Sequence, residues 1–220
     1  MEEALPKRRY HSPQRQQQAQ LTRRKLLDTA RRLFAAQGYA ATTLPAIARE
    51  AGVSAATVTA VFGTKARLLS DLVQLMVRGD TQSAPLTERP WWQAMLSEPD
   101  PRRQLTLHAT NVRRIHERSA DVAEIVRGAA TSDPDIAAML RQLAGGRLMD
   151  ARTVAQSLDE KHALAADVSV ERAADLLWAL CSHDLYRMLV VEQHWPPEEY
   201  DRWLASSLIY SLVDHHESVS

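Results

Sequence analysis

Residues 43–69, TLPAIAREAGVSAATVTAVFGTKARLL, constrain this chain more than any other stretch, because they fit two short helices joined by a tight turn. Ala48 falls where the two helices would cross, and a larger side chain there would wedge them apart. Gly52 follows the first helical pattern at a position that needs a positive φ, which glycine adopts cheaply. Ser54 stands where a hydroxyl can accept a bond from a free backbone N–H and cap the second helix. Ile47, Val53, Val58 and Val61 supply the apolar contacts between the pair. These residue types at these offsets make a helix-turn-helix. Such a unit lays its second helix in a DNA major groove.

Composition sets the frame. The 220 residues suit one large helical unit or two smaller ones, with 45% apolar residues for a core and 25% charged ones. No apolar run is long enough to span a bilayer, and the N-terminus lacks the apolar segment of a secretory signal. A single cysteine, Cys181, excludes an internal disulfide and a cysteine-based metal site. The expected home is a reducing cytoplasm, with no membrane partner, no metal and no cofactor. The net charge of zero hides a division. Up to residue 78 there are 13 Lys and Arg against 5 Asp and Glu, and beyond it 14 against 22. The basic third holds the helix-turn-helix, as a polyanion reader requires.

The pattern divides into a basic arm over 1–14, a helix-turn-helix domain over 15–63, a connecting helix over 64–78 and an effector-binding and dimerisation domain over 79–220. The spacing of Leu26, Leu27, Ala30, Leu33 and Phe34 predicts a helix over about 15–37, closed by Gly38. Thr43 and Thr64 are the expected caps of later helices, with Pro45 in a permissive first turn. After a loop near residues 79–90, a short helix is expected at Trp91. Asp100-Pro101, Asp133-Pro134, Ser169 and Pro196-Pro197 then mark helix starts. They predict helices over about 101–118, 120–130, 134–163, 170–193 and 197–214, the third bent at Gly145-Gly146. No alternating β-branched run is flanked by hairpin turns, so the fold class is all-α.

The order LF.AQGY, TT before IA..AGVS, and F.TK..LL resembles the N-terminal DNA-binding domain of the tetracycline-repressor-like (TetR) family. The match covers roughly residues 15–75. DPRRQL.LHA..VRRIHER, ADLLWAL.S.DLYR.LV and W.PE.Y..WL are similar to an actinobacterial branch of that family. The resemblance implies a three-helix DNA reader on an all-helical effector domain. It also implies a homodimer joined through its last two helices, and a repressor released by a small ligand.

The DNA-facing candidates are Thr43, Ser54, Ala55, Ala56, Thr57, Thr59, Thr64 and Lys65. Thr43 and Thr64 stand at helix N-termini, where free N–H groups and the dipole favour an anion. The resemblance places Lys65 on a backbone phosphate. Here the sequence departs from its relatives. It lacks the aromatic residue common at the Thr59 position and the His or Tyr common at Val61, while Pro45 replaces a base-reading side chain. An Ala-Ala-Thr surface offers methyl contacts and hydroxyls but no bidentate base reader. The arm residues Lys7, Arg8, Arg9 and Arg15 are candidates for a minor groove or for nonspecific attraction.

In the acidic region, polar or aromatic residues on apolar helices are the effector candidates: Trp91, Trp92, His108, Asn111, Val112, Ile115, Trp178 and Tyr186. Leu177, Cys181 and Met188, with Leu204, Leu208 and Leu212 of the last helix, are the candidate dimer interface. The reading is a homodimeric repressor of operator DNA, released by a small-molecule effector. The alternatives are an architectural DNA-binding dimer without a ligand, or a helical enzyme with a borrowed reader. No protease, hydrolase or dinucleotide motif supports the last of these.

Overall fold

The computed structural model describes residues 13–79 and 85–213. Of the arm candidates, Lys7, Arg8 and Arg9 lie outside the described residues, as does the side chain of Arg15. The chain divides into two compact units, Met1–Asp71 and Leu72–Ser220.

The first unit contains α1 (Pro13–Gln37), α2 (Leu44–Ala51), α3 (Ala55–Phe62) and the start of α4 (Lys65–Arg78). Helix α1 buries Leu26, Leu27, Ala30 and Phe34, one face of a 3.6-residue repeat, and packs on α2, which in turn packs on α3; Ile47, Ala48, Val58 and Phe62 are buried in the same unit. Asp71 clamps α4 to α1, with Arg23 at 2.6 Å and Arg67 of its own helix at 3.4 Å. Arg23 also lies over the Phe62 ring at 4.9 Å. Val53 and Val61 are only half-buried, so Ile47 and Val58 carry the contact expected of all four.

The second unit holds the rest of α4, a short 3₁₀ turn at Leu86–Glu88, α5 (Pro90–Leu96), α6 (Pro101–Ala130), α7 (Pro134–Glu160), α8 (Val170–Leu180), α9 (His183–Tyr186) and α10 (Pro197–Leu212). The expected starts hold chemically. Asp100, Asp133 and Ser169 each accept a backbone N–H of the first turn, two with proline just behind. Among the described residues the only extended pairing is an isolated bridge between Leu164 and Val213. Arg118 closes the end of α4 by donating to the carbonyls of Met76 and Val77, at 3.3 and 3.1 Å. The core joins Trp92, Leu105, Val154, Leu158, Leu177, Tyr186, Tyr200, Leu204, Leu208 and Leu212.

Three helix boundaries differ from the sequence reading. The segments 101–118 and 120–130 are one helix, α6, because nothing between them breaks the ladder and Ser119 donates back to the Ile115 carbonyl at 2.7 Å. The helix over 134–163 ends at Glu160 and passes through Gly145 and Gly146 without interruption. The helix over 170–193 is instead two. It stops at Leu180, and Ser182 caps a fresh start by accepting from Leu185 N–H at 3.2 Å. The new helix then widens over Arg187–Glu192 into a π-type winding closed by Gln193, and His194 just beyond it takes a φ of 57°.

Candidate functional site

The turn between α2 and α3 is built as its residues require. Gly52 takes φ 67°, and its N–H and that of Val53 satisfy carbonyls at the end of α2, Val53 reaching Ala48 at 3.0 Å. Ala48 is buried between the helices, as its size demands. Ser54 Oγ accepts from Thr57 N–H at 3.0 Å and shares a 2.8 Å bond with the Thr57 hydroxyl. Thr43 caps α2 through Ala46 N–H at 3.2 Å, and Thr64 caps α4 through Arg67 N–H at 3.0 Å. With Val58 and Phe62 turned inward, α3 presents Ala55, Ala56 and Thr59 outward, with Thr57 half-buried. This exposed face carries methyls and hydroxyls and no charge, next to two helix N-termini suited to phosphate oxygens.

Lys65 differs from its expected place. Its ammonium donates to the carbonyls of Tyr39 at 2.8 Å, Thr42 at 2.9 Å and Ala40 at 3.4 Å. It also sits 4.1 Å over the Tyr39 ring. An ammonium has three donors, and here all three have acceptors within the turn joining α1 to α2. The side chain holds that turn rather than standing free for a phosphate. Replacing Lys65 with Ala lowers the stability of the first unit by about 1–2 kcal/mol, the usual worth of charged hydrogen bonds discounted for partial exposure. Arginine does not restore it, because a flat fork cannot meet carbonyls converging on one point. Thermal unfolding checks this, and an unchanged midpoint would return the ammonium to the DNA.

In the second unit the effector candidates separate. Trp92, His108 and Tyr186 are buried, with Trp92 edge-on to His108 at 6.5 Å between centroids. Trp91 and Val112 pack against the same core, and Asn111 and Ile115 are half-buried. Trp178 does not join them. It is 40% exposed, donates its indole N–H to the Ala144 carbonyl at 3.2 Å and lies under Arg147, so it braces α8 on α7.

The interface candidates are corrected more heavily. Leu177, Leu204, Leu208 and Leu212 are fully buried within the unit, because the apolar faces of α8 and α10 are spent on α7 and α6. Cys181 is half-buried, its carbonyl taken by His116 at 3.2 Å. Only Met188, at 48% exposure, is open to a partner, and Trp178, Val191 and Tyr210 are the other large exposed apolar residues near it in sequence.

Sequence reasoning missed His116 and Tyr200, the most buried polar aromatics of this core. Their spacing looked like ordinary helix periodicity, and only the packing shows an unbroken row of rings. His183 lies 4.0 Å from His116, His116 lies 5.4 Å from Tyr186, and Tyr186 lies 5.1 Å from Tyr200. Burial pushes His108 and His183 down to about 4, the positive Arg147 adding to the effect on His183. Burial also holds His116 well below its ordinary value, and the neighbouring His183 adds to this. These rings are neutral when folded at pH 7, whereas in the unfolded chain they protonate near 6.5. The unfolded state therefore binds more protons as pH falls from about 6.5 to about 4, and stability drops across that window. Asp150, raised by burial, opposes the trend at its lower end. Urea denaturation at pH 7 and pH 5 should show the loss, and His108→Leu should reduce it; equal stability at both values would refute the assignment.

The first unit is that of a helix-turn-helix DNA-binding protein. Residues 26–72 match the model of the bacterial regulatory proteins of the tetR family, so this stretch of the chain is a DNA-binding domain of that type. Among curated proteins, none matches the chain. Solved structures share its fold. NalD, the secondary repressor of the MexAB-OprM multidrug efflux pump in Pseudomonas aeruginosa, is similar with a TM-score of 0.69 at 20% identity, over 90% of this chain and 99% of that one. A putative transcriptional regulator from Saccharomonospora viridis in complex with choline has a TM-score of 0.65 at 19% identity, over 89% and 100%. The SmeT–triclosan complex has a TM-score of 0.64 at 19% identity, over 89% and 93%. No helix among the described residues is long and apolar enough to cross a membrane.

Proposed function

We propose that this chain is a homodimeric transcriptional repressor that binds operator DNA through α3 and is released by a small-molecule effector held in its second unit. The observation that carries the reading is the outward face of α3, uncharged and exposed, on a capped helix pair within the basic part of the chain. In this reading Ala55, Ala56, Thr57 and Thr59 meet base edges, while Ser54, Thr43 and Thr64 meet backbone phosphates at helix N-termini. Lys65 acts by holding the turn that positions them. Specificity then rests on thymine methyls, bridging water and groove shape, since no bidentate reader is present on α3.

Two copies would address half-sites about 34–36 Å apart, or a multiple of that. The exposed apolar residues Trp178, Met188, Val191 and Tyr210 support the dimer. The effector part is supported by NalD being a repressor and by the choline and triclosan complexes of similarly folded proteins. Domain limits at 14, 63 and 78 follow the same reading, and the place of action is the cytoplasm, beside the chromosome.

The test is salt-dependent retention of genomic DNA fragments by the full chain. Affinity should fall steeply as salt rises, as released counterions dictate. Thr59→Glu, at an exposed position, should abolish retention without lowering stability. Retention indifferent to salt, or unaffected by Thr59→Glu, would remove α3 from the DNA.

A further inference from the structure

A protein that grips DNA must meet phosphate charge with charge. Here the outward face of α3 carries none, and the Lys65 ammonium is taken up by the turn between α1 and α2. The positive charge has to come from elsewhere in the first unit, and the ion pairs show where it is left over. Each carboxylate among the unit's described residues already has an arginine. Asp28 has Arg24 at 3.4 Å, Glu50 has Arg32 at 3.5 Å, and Asp71 has Arg23 and Arg67. Arg31 is engaged as well. Lys25 and Arg49 remain. Both are exposed, and neither side chain has a hydrogen bond or ion pair among the described residues.

These two cations come from different helices and flank one turn. The Lys25 ammonium reaches from α1 to within 3.9 Å of the place a Cβ would take on Gly52. Arg49 stands in the last turn of α2, and its carbonyl accepts the Gly52 N–H at 3.1 Å. It lies one helical turn beyond Pro45, on the same exposed face of α2. The turn needs neither charge for its own bonding, because the N–H groups of Gly52 and Val53 already satisfy the carbonyls of Ala48 and Arg49. From Gly52 the backbone takes two residues, at most about 7 Å, to reach Ser54 and the start of α3.

We propose that Lys25 and Arg49 are contacts to the DNA backbone, their charges pairing with phosphates of the strand that passes the α2–α3 turn when α3 lies in the major groove. Lys25 stands outside the helix-turn-helix itself, so the reader extends onto α1. The assignment rests on the regulator reading and supplies the charge that its recognition helix lacks. Phosphate contacts hold register without reading sequence, so these two residues add affinity for any duplex and leave discrimination to α3.

The experiment measures retention of two duplexes by the full chain between about 50 and 200 mM salt. One is a genomic fragment selected by the unchanged chain, and the other has random sequence. For each bound subunit, Lys25→Gln should make the slope of log affinity against log salt shallower by about 0.9, and Arg49→Gln by the same amount. Both duplexes should lose alike. Lys25→Arg keeps the charge and should keep the slope. Arg24→Gln removes the same charge one residue away, from a cation already paired, and should leave the slope as it was. An unchanged slope in Lys25→Gln or Arg49→Gln overturns the proposal for that residue, even where the melting temperature falls, since a side chain that only braces the turn acts on stability alone. An equal effect of Arg24→Gln also overturns it, by reducing both residues to parts of a diffuse field. Failure of the unchanged chain to retain any fragment is a separate result, and it overturns the regulator reading and this assignment with it.

Discussion

Leu208→Ala lowers the stability of the second unit by about 3 kcal/mol, within the range for truncating a buried leucine that leaves a cavity. Leu208 is fully buried in α10, in one core with Leu177, Tyr200, Leu204 and Leu212. The loss belongs to each subunit by itself. It should therefore be the same at every protein concentration in urea denaturation, since only an interface residue ties stability to mass action. A loss that shrinks as concentration rises would put Leu208 back between subunits. The outcome separates a leucine-lined core from a leucine-lined interface, which α8 and α10 alone do not distinguish in sequence.

The second large effect is at Ala48. Leucine there would overpack the α2–α3 contact, at a cost of about 1–3 kcal/mol to the first unit. Ala48 is buried at the contact, and its carbonyl takes the Val53 N–H that begins the turn. Displacing α3 loses base and phosphate contacts together, so operator affinity should fall by about 100-fold or more. The second unit should melt as before. Undiminished DNA affinity in Ala48→Leu would mean that the crossing tolerates bulk and that α3 is not held by it.

The local chemistry of the chain was legible wherever one residue type has one cheap use. Gly52 at φ 67° and the caps at Thr43, Ser54, Thr64, Asp100, Asp133 and Ser169 stand where the sequence places them. Each of these answers to its neighbours within four residues. Features decided at longer range were not legible. Lys65 is drawn to carbonyls more than 20 residues away in sequence, which no local pattern encodes. The break after Leu180 turns on Ser182, a cap inside an apolar run that read as one continuous helix. The leucines of α10 satisfy a core and a dimer face equally well as a pattern, and only the position of α6 decides between them. His116 and Tyr200 came from the same kind of ambiguity, aromatics on a helical repeat whose neighbours lie on other helices.

The distribution of indole rings has a practical consequence. Trp91, Trp92, Trp178, Trp195 and Trp203 all fall beyond Leu72, and the Met1–Asp71 unit has none. Intrinsic emission excited at the red edge thus reports on one half of the polypeptide and is blind to the other. Circular dichroism sees both. Recording the two signals together during a melt resolves which half loosens first, with no label attached.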